Sequence, residues 1–379
     1  MDKILFVDDD VNLLASFQRQ LRKQFRIETA LGGHEGIELV RNNGPYAVIV
    51  SDFSMPHMNG IEFLSRVRQI APDSIRIMLT GNADLQAAIQ AVNEGNIFRF
   101  LTKPCSLDVL GKSIGTGIEQ YQQIAKEKAF AQRTRSSLAQ AMEIQQNLMP
   151  KSDLKIRGFD IAGDSSFCDE TGGDYYDFFS KDGADAKKIG VVVGDVSDHG
   201  LPSALLMTAA RAFVRQRSSR PGDVSRIISD VNRQITRDVE ISGQFMTLFY
   251  GEIDIHERSI SWVRAGHDPA ILYDTVGGYF EELRGQGLPL GVMEDCEYQA
   301  CYREVKPGQI IIIGTDGIWE AYNDDGQMFG KERLRRIIRL HACEPAKSIV
   351  EAVMQAFAQF IYPHSQKDDA TIVVIKVES

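Results

Sequence analysis

Two sets of aspartates carry the chemistry available to this sequence, and in both the acids stand at the ends of apolar runs. In the first set, Asp8 and Asp9 follow the run 4–7, and Asp52 comes just after the run 47–50. Carboxylates gathered at strand ends of a parallel sheet converge, and like charges there repel unless a cation sits among them. Ligands that offer only oxygen point to Mg²⁺, which takes a few carboxylates and keeps room for waters and a phosphate. Thr80 follows the run 75–79 and can hydrogen-bond an incoming phosphoryl group; Lys103 follows the run 98–101 and can neutralise it. An aspartate beside Mg²⁺ is a competent nucleophile toward a phosphoryl donor.

The second set lies in glycine-flanked strand ends: TGGDYYD with Asp174, GVVVGDVSDHG with Asp195, IIIGTDGIWE with Asp316, and KDDAT with Asp368 and Asp369. Each alone is an ordinary turn signal. Four together, with no Cys or His ligand pattern, argue for hard divalent cations, Mg²⁺ or Mn²⁺. Two such ions lower the pKa of a bridging water from about 16 toward roughly 7, supplying hydroxide for in-line attack on phosphorus without a protein nucleophile. His199 can protonate a leaving serine oxygen or serve as a hydrogen-bonded structural residue; His267, in AGHDP, reads as structural.

These residues need elements to place them. Short apolar runs at 4–7, 27–30, 47–50, 75–79 and 98–101 alternate with helix-periodic stretches carrying Leu14, Phe17 and Leu21, then Phe63, Val67 and Ile70, then Leu85, Ile89 and Val92. That alternation predicts an α/β doubly wound domain with five parallel strands covered on both faces. Residues 106–149 contain no proline and read as one long helix, about 65 Å at 1.5 Å per residue. Its apolar positions Ile114, Ile118, Tyr121, Leu138, Met142, Ile144 and Leu148 are heptad-like at both ends and weak between. A parallel partner helix in a dimeric coiled coil would cover them, as would packing back on the chain's own domains. Pro150 ends the helix.

Beyond it the texture turns to short strands, among them 189–193, 246–253, 259–263, 270–273 and 310–313. Helices are expected at 201–216, 224–235, 331–340 and 346–362. Strands in runs and helices in pairs predict an α+β sandwich of two sheets flanked by helices. The expected domains are 1–120, a helical linker at 121–152, and 153–379.

A chain of 379 residues, 43% apolar and 25% charged, is long for one domain and ordinary in composition. A net charge of −10 speaks against nucleic-acid binding, which demands clustered Lys and Arg. The five cysteines, Cys105, Cys168, Cys296, Cys301 and Cys343, form no CxxC pair and suit a reducing compartment. The opening MDKILFVDDD is no signal peptide, and no apolar run is long enough to span a bilayer. The expectation is a cytoplasmic protein with neither membrane nor nucleic-acid partner.

The segments ILFVDDD, VIVSDFSMPHMNG, IMLTG and FRFLTKP resemble, in order and position, a response-regulator receiver domain covering residues 1 to about 120. The resemblance implies phosphorylation of Asp52 by a histidine kinase, and Mg²⁺ held by Asp8, Asp9, Asp52 and the Ser54 carbonyl. It also implies that Thr80 and Phe100 form a switch pair beside Lys103, with a cis Lys103–Pro104 bond. The second set of motifs, with WVRAGHDPAILY, LPLGV and the lead-in AMEIQQNLMP, resembles the sporulation-E-type branch of the PPM metal-dependent protein phosphatases over residues 155–377. That family implies that Asp195 bridges two Mn²⁺ or Mg²⁺ ions beside the Val196 carbonyl. Asp174, Asp316 and Asp368 complete the set, with Asp195, Asp316 and His199 as the catalytic groups. Its implied substrates are phosphoserine or phosphothreonine proteins, often an anti-sigma-factor antagonist of the STAS fold. The chain departs from the usual GDVSGHG at Asp198, which stands where a glycine able to take positive φ is expected. Two rival readings are a pseudo-phosphatase adaptor that binds a sigma-factor regulator and, from the GGD triplet, a nucleotide cyclase. The retained metal acids speak against the first, and the later DG and DDAT motifs against the second.

Overall fold

Of the five N-terminal apolar runs, the three central ones become strands buried from both sides, while the two at the edges of the sheet keep part of their side chains exposed. β1 (Lys3–Asp8), β2 (Arg26–Leu31), β3 (Val48–Asp52), β4 (Ile75–Thr80) and β5 (Arg99–Thr102) pair in parallel in the order β2-β1-β3-β4-β5. The computed structural model describes residues 2–81, 97–181 and 187–378. The helical spacing of Leu85, Ile89 and Val92 lies outside the described residues. Helices α1 (Val11–Leu21), α2 (Gly33–Asn43) and α3 (Gly60–Ile70) connect the strands. Leu5, Val7, Ile49 and Met78 face one core with α2 and α3, while Ile4, Phe6, Val48, Val50 and Ile77 face the other. Alternate side chains therefore serve opposite layers, which is why the runs are unbroken.

The predicted long helix is one element, α4 (Leu107–Leu148), 42 residues without interruption. Leu110 and Ile114 enter the N-terminal core, with Ile118 and Tyr121 packed against it. By contact the chain divides into two compact units, Met1–Arg135 and Ser136–Ser379, and the division falls inside α4.

The second unit holds two antiparallel sheets. One is ordered β14-β11-β10-β9-β8, from β8 (Tyr175–Ser180), β9 (Lys188–Val196), β10 (Met246–Asp254), β11 (Ser259–Ala265) and β14 (Cys301–Glu304). The other is ordered β13-β12-β15-β16-β7-β6. It comprises β6 (Leu154–Ile156), β7 (Phe159–Ser166), β12 (Ala270–Asp274), β13 (Tyr279–Leu283), β15 (Gln309–Gly314) and β16 (Ala370–Val377). Helices α5 (Leu201–Ser218) and α6 (Val224–Val239) cover the first sheet, whereas α8 (Lys331–His341) and α9 (Ala346–Ile361) cover the second; a single turn, α7 (Asp316–Trp319), follows β15.

Each central strand is again buried on both faces. Ile311 and Ile313 point into the space between the sheets, while Ile310 and Ile312 meet α8 and α9. Val373 and Ile375 of β16 repeat the inward set, and Ile372 and Val374 the outward one. A four-residue isoleucine run is the sequence form of a strand inside a helix–sheet–sheet–helix stack. α6 is started by Asp223, whose carboxylate accepts the Arg226 N–H at 2.8 Å. Among the described residues no helix is long and apolar enough to cross a membrane.

Candidate functional site

At the N-terminal site, β1 and β3 end in Asp8 and Asp52, only 3% and 6% exposed, and Asp9 stands exposed beside them. One oxygen from each of the three lies within 4.8 Å of the others. Lys103, just past β5, reaches Asp8 Oδ2 at 2.9 Å and Asp52 Oδ1 at 2.5 Å. Burial works against the Lys103 ammonium, but its hydrogen bonds to Asp52 and Asp8 and their charges outweigh this and raise its pKa. Asp10, third acid of the triplet, is no part of the cluster: its Oδ1 accepts from Asn12 and Leu13 N–H and caps α1. Ser54, two residues past Asp52, donates its N–H to Asp52 Oδ2 at 3.0 Å. Gly60 is required close by, since a Cβ there would meet the Asp52 carbonyl oxygen at 2.1 Å. Thr80 ends β4 fully buried, and its hydroxyl donates to the Gly81 carbonyl at 3.2 Å. Phe100 of β5 is half-buried against the core under α2 and α3. The Lys103–Pro104 bond is cis.

In the C-terminal unit Asp174 immediately precedes β8, Asp195 lies near the end of β9 with Val196 as its last residue, Asp316 opens α7, and Asp368 lies two residues before β16. Asp174 is 1% exposed; its Oδ2 accepts the Thr315 hydroxyl at 2.8 Å, while its Oδ1 is buried with no partner. The acids act on one another. Burial first, then the charges of Asp316, Asp368 and Asp369, push the Asp195 pKa up to about 8. Burial, then Asp195 and Asp369, lifts Asp174 well above the carboxylate range. Asp316 is raised by burial and by Asp368; Asp368, at the exposed edge, is raised by desolvation and by Asp369.

The sequence-predicted set is thus brought together around Asp195, but loosely. Among the described residues, two groups of three potential ligands fall within 4.8 Å: the N-terminal trio, and Cys168, Asp169 and His199. Three observations fit hard divalent cations. The donors are all oxygen, a buried carboxylate oxygen lacks a partner, and glycines keep the backbone close: a Cβ on Gly173 would meet the Val196 carbonyl at 3.0 Å, and one on Gly317 the Asp369 carbonyl at 1.9 Å.

His199 is exposed, with Nδ1 2.5 Å from Asp169 Oδ2, and that hydrogen bond raises its pKa. Its charge is felt at Asp368, which puts it at the rim of the acidic set. Asp198 is exposed with φ 64°, the left-handed conformation expected at that position, and it belongs to neither group of three. His267 is buried, bonded to Thr247 Oγ1 at 2.8 Å and the Gly314 carbonyl at 3.1 Å, and burial pushes its pKa down to about 4. It is a neutral structural histidine, as the sequence suggested.

Sequence reasoning missed the roles of Asp369 and Gln145. Asp369 is buried, accepting from Cys168 N–H at 2.8 Å and from the N–H groups of Gly173 at 2.7 Å and Asp174 at 3.3 Å. Adjacent acids entering a strand face opposite ways, so of the KDDAT pair one points outward and the other clamps the TGGD loop. Gln145 of α4 reaches that loop from the other side.

The family model for stage II sporulation protein E matches residues 185–378, and that for the response regulator receiver domain matches residues 4–115. The chain is 26% identical over 272 residues to phosphoserine phosphatase RsbU of Bacillus subtilis, covering 72% of this chain and 79% of that one. It is 25% identical over 312 residues to protein IcfG of Synechocystis, covering 75% of this chain but 47% of that one. The SiaA-PP2C domain of Pseudomonas aeruginosa shares the fold, with a TM-score of 0.55 at 24% identity over 66% of this chain and 99% of that one.

Proposed function

Because the chain belongs to the stage II sporulation protein E family and carries a response-regulator receiver domain ahead of that match, we propose that it is a metal-dependent serine/threonine protein phosphatase controlled by phosphorylation of Asp52. The observation that carries the reading is the acidic set around Asp195, with the partnerless Asp174 oxygen beside it.

At the N-terminal site a histidine kinase is the donor. Asp52 attacks phosphorus, the N–P bond of the phosphohistidine breaks, and an O–P bond to Asp52 forms. Asp8, Asp9, Asp52 and the Ser54 carbonyl would hold Mg²⁺, and Lys103 offsets the charge of the transferred group. Thr80 turns from the Gly81 carbonyl toward the phosphate, and Phe100 follows it inward.

At the C-terminal site Asp195, with Asp174, Asp316, Asp368 and the Val196 carbonyl, would hold two Mn²⁺ or Mg²⁺ ions. A bound ion pair supplies hydroxide near neutral pH. His199, whose pKa the Asp169 hydrogen bond raises, gives its proton to the departing serine oxygen. The kinship with RsbU, a phosphoserine phosphatase, supports phosphoserine proteins as substrates, an anti-sigma-factor antagonist of the STAS type being the substrate proposed. α4 leaves Phe130 and Ile144 73% and 65% exposed, which supports a homodimer through this helix.

The test is hydrolysis of a phosphoserine protein by the full chain with Mn²⁺, with and without beryllofluoride as a phosphoryl mimic. Activity that depends on Asp316 and changes with the mimic is expected. A chain inert under both conditions, or a rate untouched by Asp316→Asn, would refute the reading.

A further inference from the structure

Helix α4 begins within the receiver match and ends against the loop that carries Asp174. Three residues from its end stands Gln145, 3% exposed in a helix whose other polar side chains are mostly in solvent. Its Nε2 donates to the Gly172 carbonyl at 2.6 Å, and its Oε1 accepts the Gly172 N–H at 3.1 Å. One amide side chain thus takes both backbone groups of a single residue 27 positions away. Buried backbone groups left unpaired are costly, so this two-point contact fixes Gly172 strongly.

Gly172 has nowhere else to go. A Cβ on it would lie 2.2 Å from the Phe167 ring and 2.5 Å from Asp369 Oδ2. The next residue, Gly173, donates to Asp369 and sits against the Val196 carbonyl; the one after is Asp174. The segment is gripped between α4 on one side and Asp369 on the other, with no slack between grip and carboxylate.

We propose that Gln145 is a positioning residue for this loop, through which the place of the last turns of α4 sets where the Asp174 carboxylate stands. The inference rests on the proposed metal-binding role of Asp174, and it names the contact through which a change in the helix reaches that site. It assigns Gln145 no contact with substrate or metal. Its effect is on how well the cation set is formed, so it appears in metal affinity before it appears in turnover.

Calorimetric titration of the full chain with Mn²⁺ tests this on wild type, Gln145→Met, Gln146→Ala and Asp174→Asn. Gln145→Met keeps the length and bulk of the side chain and removes both hydrogen bonds. It should weaken Mn²⁺ binding by about tenfold or more, as loss of a residue supporting a metal ligand does. Turnover at saturating Mn²⁺ should stay within about twofold, because the added metal restores the site. Gln146→Ala, one position along on the exposed side, should match wild type. Wild-type Mn²⁺ affinity in Gln145→Met, or an unchanged affinity with turnover lost, would overturn the proposal while leaving the phosphatase reading intact. A wild-type chain that binds no Mn²⁺, or an Asp174→Asn chain that binds it as well, would overturn both. If Gln145→Met does not fold, amide exchange in the wild-type chain decides. Protection at residues 172–174 should change when beryllofluoride is added, and identical protection would refute the coupling.

Discussion

At the N-terminal site two buried carboxylates, Asp8 and Asp52, share the Lys103 ammonium at 2.9 and 2.5 Å; at the C-terminal site the charges acting most on Asp195 are three further carboxylates, Asp316, Asp368 and Asp369. The first site carries an internal counter-charge, so its acids tolerate burial before any metal or phosphate arrives. Among the described residues no cation acts on Asp195 with comparable weight, and burial and mutual repulsion raise the pKa of its acids. A site with its own cation is poised to accept a charged group and release it. The same residue type, at the same kind of strand end, meets a lysine in one site and further carboxylates in the other.

The strongest way to break this comparison is to remove the centre of the second site. Asp195→Asn should lower phosphoserine hydrolysis by about a thousandfold, several kcal/mol of transition-state stabilisation. Phosphorylation of Asp52 by acetyl phosphate should continue at the wild-type rate in the same variant. A hydrolysis rate within tenfold of wild type would show that Asp195 is no bridge.

Next in size is the loss of the counter-charge. Lys103→Met leaves Asp8 and Asp52 facing each other, and should destabilise the N-terminal unit by about 2 kcal/mol at low Mg²⁺, less than for a fully buried pair because the lysine is partly exposed. Added Mg²⁺ should recover most of this. Amide exchange in β1 and β3 of the full chain reads it, and stability indifferent to both lysine and Mg²⁺ would remove the contrast.

The raised pKa of Asp195 gives the site a pH signature. The folded Asp195 carboxyl keeps its proton up to about pH 8, so a cation entering below that pH must displace it. Mn²⁺ affinity should rise by up to about tenfold per pH unit toward pH 8 and level off above it. In the metal-free chain the stability associated with protonated Asp195 is complete at acid pH and is lost as pH rises through about 8. Calorimetry in buffers of different ionisation enthalpy counts the released proton, and a pH-independent affinity with no release would contradict the assignment.

The smallest effect is expected at Asp198. Its φ of 64° suits glycine, yet aspartate tolerates it, and its carboxylate joins neither close ligand group. Asp198→Gly should shift stability by no more than about 1 kcal/mol in denaturant melts and leave Mn²⁺ affinity alone. A large change in affinity would make Asp198 a member of the ion set.

What was legible in the sequence follows from burial. Strands packed on both faces spell themselves out as apolar runs, so the N-terminal sheet and the isoleucines at 310–313 were readable, and with them the acids at their ends. β6, β13 and β14 were not, because edge strands with half their side chains in solvent leave no run. The long helix could be read from its composition, but not the place within it where the chain divides. Gln145 and Asp369 were invisible as positioning groups. Their partners lie 27 and 196 residues away in sequence, and nothing local distinguishes a buried amide or a clamping carboxylate from a solvated one.

The isoleucine strand has one more consequence. β15 and β16 lie side by side at the heart of the stack, and Asp316 and Asp368 hang from their ends. Amides in such strands exchange with solvent only when the whole unit opens, so they should be the last in the protein to take up deuterium. The acids that follow β15 and precede β16 are therefore tethered to the part of the unit that opens last.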